Sequence, residues 1–200
     1  DLILDLISKE GITLFFGVPV MYQMLIDSPK FTSTDFSKIR FMVSGGAPLS
    51  RAIFDTFKTQ KSIHLWEGFG LTEIGPNNFL ANGKLGTVGH PMPHVDIKLV
   101  DNQGHEVQPG EEGELLLRGP HMCAGYWNKS EASAEAIRDG WFHTGDFAQI
   151  DGEGHLSIVG RKKDMIISGG VNIYPAEIER VIEIHPAVTG AAVIGVPDPK

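Results

Sequence analysis

Apolar residues in the first third of the chain fall into short runs separated by polar, glycine- or proline-containing stretches, and their spacing alternates between helical and extended periods. Leu2, Leu4, Leu6 and Ile7 ahead of Lys9-Glu10-Gly11 predict a short helix closing at glycine, followed by an apolar strand over 12–16. The pattern continues with a helix over 20–26, a buried strand over 41–43, a helix over 50–57 capped by Ser50, and a strand over 63–66. Such alternation predicts an α/β sheet with crossover helices. Ligands of that architecture collect at the carboxyl ends of strands, where Ser44-Gly45-Gly46-Ala47-Pro48 and residues 68–73 fall.

Beyond about residue 84 the pattern turns to β. Strands are expected over 95–100, 114–118 and 141–150, with a turn at Asp101-Asn102-Gln103-Gly104 and a hairpin turn at Asp151-Gly152-Glu153-Gly154 leading into 156–159. One helix, 130–137, interrupts them. After residue 160 the chain restarts as strand 165–167, helix 175–184 and strand 191–196, which places a domain boundary there, with domains at 1–160 and 161–200. No internal repeat or low-complexity tract occurs.

Composition narrows the function. A content of 42% hydrophobic and 21% charged residues is ordinary for a soluble globular protein. A net charge of −8 without a basic run excludes nucleic acid as a partner, because binding its phosphates needs clustered Lys and Arg. The lone Cys123 excludes an intrachain disulfide and fits a reducing compartment. No apolar run is long enough to span a membrane, and Asp1-Leu2-Ile3-Leu4-Asp5 lacks the basic start of a signal peptide, so a cytoplasmic location is expected. The absence of an opening Met and the stop just after an apolar run suggest a piece of a longer protein. The eight histidines give no metal motif: prolines at 91 and 93 separate His90 from His94, and His121 with Cys123 lacks further nearby ligands.

The chemistry concentrates in Gly68-Phe69-Gly70-Leu71-Thr72-Glu73. Two glycines let backbone approach phosphate oxygens, an aromatic can stack on a base, and Thr and Glu offer a hydroxyl and a carboxylate for phosphate and Mg²⁺. A dinucleotide fingerprint would need glycine where Glu73 stands, and no Gly-Lys-Ser/Thr of a P-loop occurs. Nor does a Gly-x-Ser-x-Gly elbow surround Ser44, which rejects a serine hydrolase. Read alone, the six residues are equally a glycine-rich turn.

Three further blocks accompany them in order: Gly-Glu-Leu-Leu-Leu-Arg-Gly at 113–119, Trp-Phe-His-Thr-Gly-Asp-Phe-Ala at 141–148, and the run from Gly160-Arg161-Lys162-Lys163-Asp164 through Ser168-Gly169-Gly170 to Tyr174-Pro175 and Glu179. Together these resemble the adenylate-forming superfamily, and the last block is most similar to its acyl-CoA synthetases. The resemblance covers essentially the whole chain. It implies the end of a large α/β domain with a β-rich subdomain, followed by the start of a small α+β domain. The implied reaction joins a carboxylic acid to ATP as acyl-AMP with release of pyrophosphate, after which CoA displaces AMP. An upstream phosphate loop and a downstream lysine of the family are missing, so the piece alone is expected to be inactive.

Roles follow from the resemblance residue by residue. Gly46, Ala47 and Pro48 match a second adenine-side loop. Glu67, Gly68, Phe69, Gly70, Leu71 and Thr72 are implied in nucleotide binding, with Phe69 stacking on adenine and Thr72 bonding phosphate. Glu73 is the implied Mg²⁺ ligand and, with Thr72, serves catalysis. Asp146 would accept hydrogen bonds from both ribose hydroxyls, and Arg161 would supply a forked cation to ribose or phosphate. Lys163 occupies the position of the hinge about which the small domain rotates, and Ser168, Gly169 and Gly170 that of a loop beside the pantetheine of CoA. The acetate-activating branch has tryptophan at the position of Gly70 and arginine at that of Asn172. Their absence implies room for a medium or long acyl chain or an aryl ring, lined also by Gly68 and residues 77–79. An adenylation module loading a carrier protein, and a non-catalytic nucleotide-binding module, are the alternatives.

Overall fold

The computed structural model describes residues 1–197 except 82, 186 and 189, with the side chains of Asn77 and Arg180 also outside the description. The chain divides into two compact units, Asp1–Val95 with Pro120–Cys123, and Asp96–Gly119 with the remainder from Ala124.

In the first unit α1 (Leu2–Lys9), β1 (Leu14–Gly17), α2 (Pro19–Ile26), β2 (Phe41–Gly45), α3 (Arg51–Lys61) and β3 (Leu65–Leu71) follow the alternation expected from the apolar spacing. Two antiparallel strands, β4 (Gly75–Ala81) and β5 (His90–Pro91), complete a five-stranded sheet in simple sequence order. β1, β2 and β3 are parallel, as crossover helices require. Ser50 caps α3, its hydroxyl accepting from the Ile53 N–H at 3.3 Å. Under the helices, Phe57 meets Tyr22, Phe31 and Phe36 edge to face, and the buried Tyr22 hydroxyl is satisfied by the Val43 carbonyl at 2.7 Å. Packing this dense gives the parallel strands a rigid base from which their carboxyl ends project.

The second unit is built on β6 (Asp96–Val100), β7 (Glu112–Arg118), α4 (Ser130–Ala136), β8 (Ile137–Arg138), β9 (Trp141–Ile150) and β10 (Leu156–Arg161). Its antiparallel sheet has the order β10-β9-β7-β6, with β8 also paired to β9. The turn between β9 and β10 is organised by Asp151, whose carboxylate accepts the N–H groups of Glu153 and His155, both at 2.9 Å. The hairpin β11 (Ile166–Ser168) and β12 (Val171–Ile173) precedes α5 (Pro175–Ile182). Among the described residues no helix is long and apolar enough to cross a membrane.

Two expectations change, and one strand appears where none was expected. Residues 68–71 continue β3 rather than forming a turn, and only Thr72, Glu73 and Ile74 leave the strand. β4 opens with Gly75-Pro76-Asn77, which reads as loop yet pairs with β3 through a register irregularity between Phe69 and Leu71. The strand expected at 191–196 is irregular: the N–H groups of Ala191 and Val193 go to the carboxylates of Glu183, at 3.2 Å, and Glu179, at 2.8 Å. Side chains near and on α5 thus take the hydrogen bonds a neighbouring strand would have supplied.

Candidate functional site

Within the first unit, the expected residues gather at the carboxyl ends of β2 and β3, where Ser44 lies opposite Glu67 and Gly45 opposite Gly68. The chain leaves β2 through Gly46 at φ +80°, a left-handed conformation, and turns over Ala47 and Pro48 toward α3. Glu67 is buried, and its Oε1 accepts the N–H of Leu49 at 3.1 Å. It therefore ties the loop after β2 to β3, a contact that the sequence pattern did not suggest.

Phe69 is half-buried, and its ring meets the fully buried Phe79 edge to face with centroids 5.8 Å apart. Gly70 has no room for a side chain. A Cβ there would overlap the Pro76 carbonyl and lie 2.6 Å from the carbonyl oxygen of Gly75. Its glycine is required by the close approach of β4, and the direction expected to open an acyl cavity is filled by backbone. Asn77, expected along that cavity, has a side chain outside the described residues, while Asn78 and Phe79 are buried. The Thr72–Glu73 turn is closed by the Ile74 N–H on the Leu71 carbonyl at 3.2 Å, with Ile74 buried, Thr72 exposed and Glu73 half-buried.

Within the second unit, Asp146 on β9 stands opposite Arg161 at the end of β10. Its Oδ1 accepts Arg161 Nε at 3.1 Å. Only 2% of the residue is exposed, and Oδ2 is buried without a hydrogen-bond partner. Burial raises the Asp146 pKa against the lowering influence of Arg161 and Lys163. The preceding turn is fixed by Thr144, whose hydroxyl donates to the Leu115 carbonyl at 2.7 Å and accepts the Asp146 N–H at 3.0 Å. Lys163 is exposed in the turn that the Asp164 N–H closes on the Arg161 carbonyl at 3.1 Å. Ser168, Gly169 and Gly170 form the tip of the β11–β12 hairpin, with φ of +58° and +83° at the two glycines, the signs that a two-residue type I′ turn requires.

Sequence reasoning missed a charged cluster beneath these residues. Glu114 of β7 is buried, with Oε2 3.1 Å from Lys162 Nζ and Oε1 3.6 Å from His143 Nδ1, and Arg138 reaches the same Nδ1 at 2.7 Å. Lys162 is also held through its backbone, its N–H donating to the Gly145 carbonyl at 2.8 Å. An acidic residue directly before the apolar run Leu115-Leu116-Leu117 on a central strand was the available signal. One further group, Asp151, Glu153 and His155, brings ligand-type atoms within 4.8 Å of one another. Its backbone bonds identify the Asp151 carboxylate as the organiser of a turn.

The family of AMP-binding enzymes matches residues 1–127, more than half of the chain. This chain belongs to that family. It is 42% identical over 99% of its length to a feruloyl-CoA synthase of an Amycolatopsis species and 41% identical over 96% to a long-chain-fatty-acid–CoA ligase of Yersinia pestis. It spans 41% and 35% of the lengths of these relatives. Its fold superposes with a TM-score of 0.88 on an anthranilate CoA ligase solved with anthranoyl-AMP, at 33% identity, covering 98% of this chain and 39% of that one. The mixed α/β sheet of the first unit and the β-rich second unit are thus those of an AMP-binding enzyme.

Proposed function

We propose that this chain is part of an acyl- or aryl-CoA ligase that activates a carboxylic acid as acyl-AMP with ATP and Mg²⁺, and then transfers the acyl group to CoA in the cytoplasm. The carrying observation is Asp146: a buried carboxylate with one oxygen on Arg161 and the other without a partner is an acceptor prepared for a hydroxyl donor. A ribose supplies such donors. In this reading Gly46, Ala47, Pro48 and Gly68–Leu71 take the adenine side, Thr72 binds phosphate, and Glu73 holds Mg²⁺.

Adenylation is a displacement at phosphorus in which alignment and charge neutralisation dominate, and Mg²⁺, when bound, supplies the latter. The chain's own residues orient: Asp146 and Arg161 fix the ribose, and Thr144 fixes Asp146. Lys163 is the proposed hinge at the start of a mobile domain beginning after residue 160, and Ser168, Gly169 and Gly170 are proposed beside CoA. The names of the relatives include aryl and long-chain fatty acids, which supports a large apolar or aromatic acid as substrate.

The test is acid-dependent exchange of pyrophosphate into ATP by the full-length protein, over aliphatic acids of graded length and aryl acids, followed by thioester formation on adding CoA. Exchange without thioester would favour a carrier protein as acceptor, and absence of exchange with every acid would overturn the ligase reading.

A further inference from the structure

The four residues Pro120–Cys123 lie in sequence among segments of the second unit, yet they pack in the first. Their contacts are with the turn that carries Thr72 and Glu73. The Cys123 N–H donates to the Glu73 carbonyl at 2.7 Å, and His121 Nε2 lies 2.8 Å from Asn78 Oδ1. Asn78, only 1% exposed, spends its amide nitrogen on the Gly75 carbonyl at 2.7 Å, so its oxygen is the acceptor and the histidine Nε2–H the donor. The imidazole also lies over Gly75, 3.5 Å from where a Cβ would stand. The turn is therefore bracketed: Glu73 is held from Cys123, Gly75 from Asn78, and Asn78 from His121.

We propose that His121 and Asn78 are positioning residues that hold the Thr72–Glu73 turn in its ligand-binding geometry. This rests on the reading of Thr72 and Glu73 as phosphate and Mg²⁺ contacts. Loss of His121 would leave the buried Asn78 oxygen, one bond away from the turn, without its donor. Metal and phosphate ligation demands placement to a fraction of an ångström, so loosening here acts on the nucleotide half-reaction first. His121 is exposed on its other side, which makes its replacement compatible with folding.

The experiment compares His121→Leu with His121→Gln in the full-length protein, using two readouts. Hydrogen exchange of the Ile74 and Cys123 amides reports the turn directly, and the Mg²⁺ concentration giving half-maximal pyrophosphate exchange reports its use. The leucine variant is expected to speed both amide exchanges and raise the half-maximal Mg²⁺ about tenfold, the size associated with losing one buried hydrogen bond. Transfer from preformed acyl-AMP to CoA should stay at the parent rate. The glutamine variant, which returns an N–H donor, should restore both readouts. Unchanged amide exchange in the leucine variant overturns the proposal. Faster exchange with unchanged Mg²⁺ dependence leaves the bracket standing and removes the reading of Glu73 on which its functional part rests.

Discussion

Tyr174 lies across Gly160 so closely that a Cβ at position 160 would stand 2.8 Å from its ring. The tyrosine is 2% exposed and packs with Phe147, Val159 and Met165, its ring centroid 5.8 Å from that of Phe147. Burial pushes its hydroxyl up to about 12, with the nearby Glu112 carboxylate adding to the shift. One aromatic ring thus holds the segment after residue 164 against β9 and β10, and the glycine that begins the Gly160-Arg161-Lys162-Lys163-Asp164 run is a packing requirement.

Gly160→Ala should therefore destabilise the protein by about 1 to 3 kcal/mol through overpacking. Tyr174→Ala removes the ring contact at 2.8 Å but keeps the Tyr174 Cβ contact at 3.2 Å, so in that background the added methyl should cost less, though not nothing. A double-mutant cycle by denaturant unfolding measures this coupling, and additive effects would show that the alanine is excluded by something other than Tyr174.

Gly70→Ala is expected to lower stability and, in the full-length protein, to reduce the proposed adenylation of all acids in parallel, because the methyl collides with the carbonyls of Gly75 and Pro76. Backbone cannot rotate aside as a side chain can. A shift in the ratio of kcat/KM values toward short acids, with unfolding unchanged, would instead return Gly70 to the wall of an acyl cavity.

The parallel half of the fold was legible because its apolar runs have lengths and capping residues that suit a single structure, as at Ser50 and α3. The β4 strand was not legible, since Gly75-Pro76-Asn77 carries every local mark of a turn and is extended only by pairing with β3. Residues 191–196 failed the other way: a continuous apolar run becomes a strand only when another strand accepts it. Asp146 and Arg161, fifteen positions apart in chain numbering, were named from motifs, and the register of β9 against β10 brings them face to face. Glu114, His143 and Lys162 remained hidden because their proximity is created by the β7–β9 pairing and by the turn after β10, neither of which a local window contains.

His143 receives competing instructions from its neighbours. Arg138 donates to Nδ1 at 2.7 Å, which requires a lone pair there, while Glu114 at 3.6 Å favours a proton. The shorter contact prevails: burial first and Arg138 second hold the imidazole below its ordinary pKa, with Glu114 opposing them. Arg138→Met should raise the His143 pKa and Glu114→Gln should lower it further. Imidazole resonances followed by NMR across pH decide this, and shifts of the same sign in both variants would disprove the opposition.

Asp146 should impose a trade between stability and nucleotide binding. Its raised pKa means that the folded state holds the proton more tightly than the unfolded state, so its ionised form costs stability at neutral pH. The sign of the pH dependence follows. Stability contributed by this group is fully present below the ordinary aspartate value of 3.8 and is lost as pH rises through the higher native value. Relative to Asp146→Asn, which does not titrate, the parent should gain in Tm as pH is lowered through that window and level off below it. On the proposed ribose role, the asparagine variant of the full-length protein should lose ATP affinity at neutral pH, because replacing a charged acceptor weakens hydrogen bonds worth about 1.5 to 3 kcal/mol each. Unfolding curves at several pH values, paired with the KM for ATP, test both halves. A Tm difference independent of pH would refute the raised pKa, and an unaltered KM would remove Asp146 from the nucleotide site.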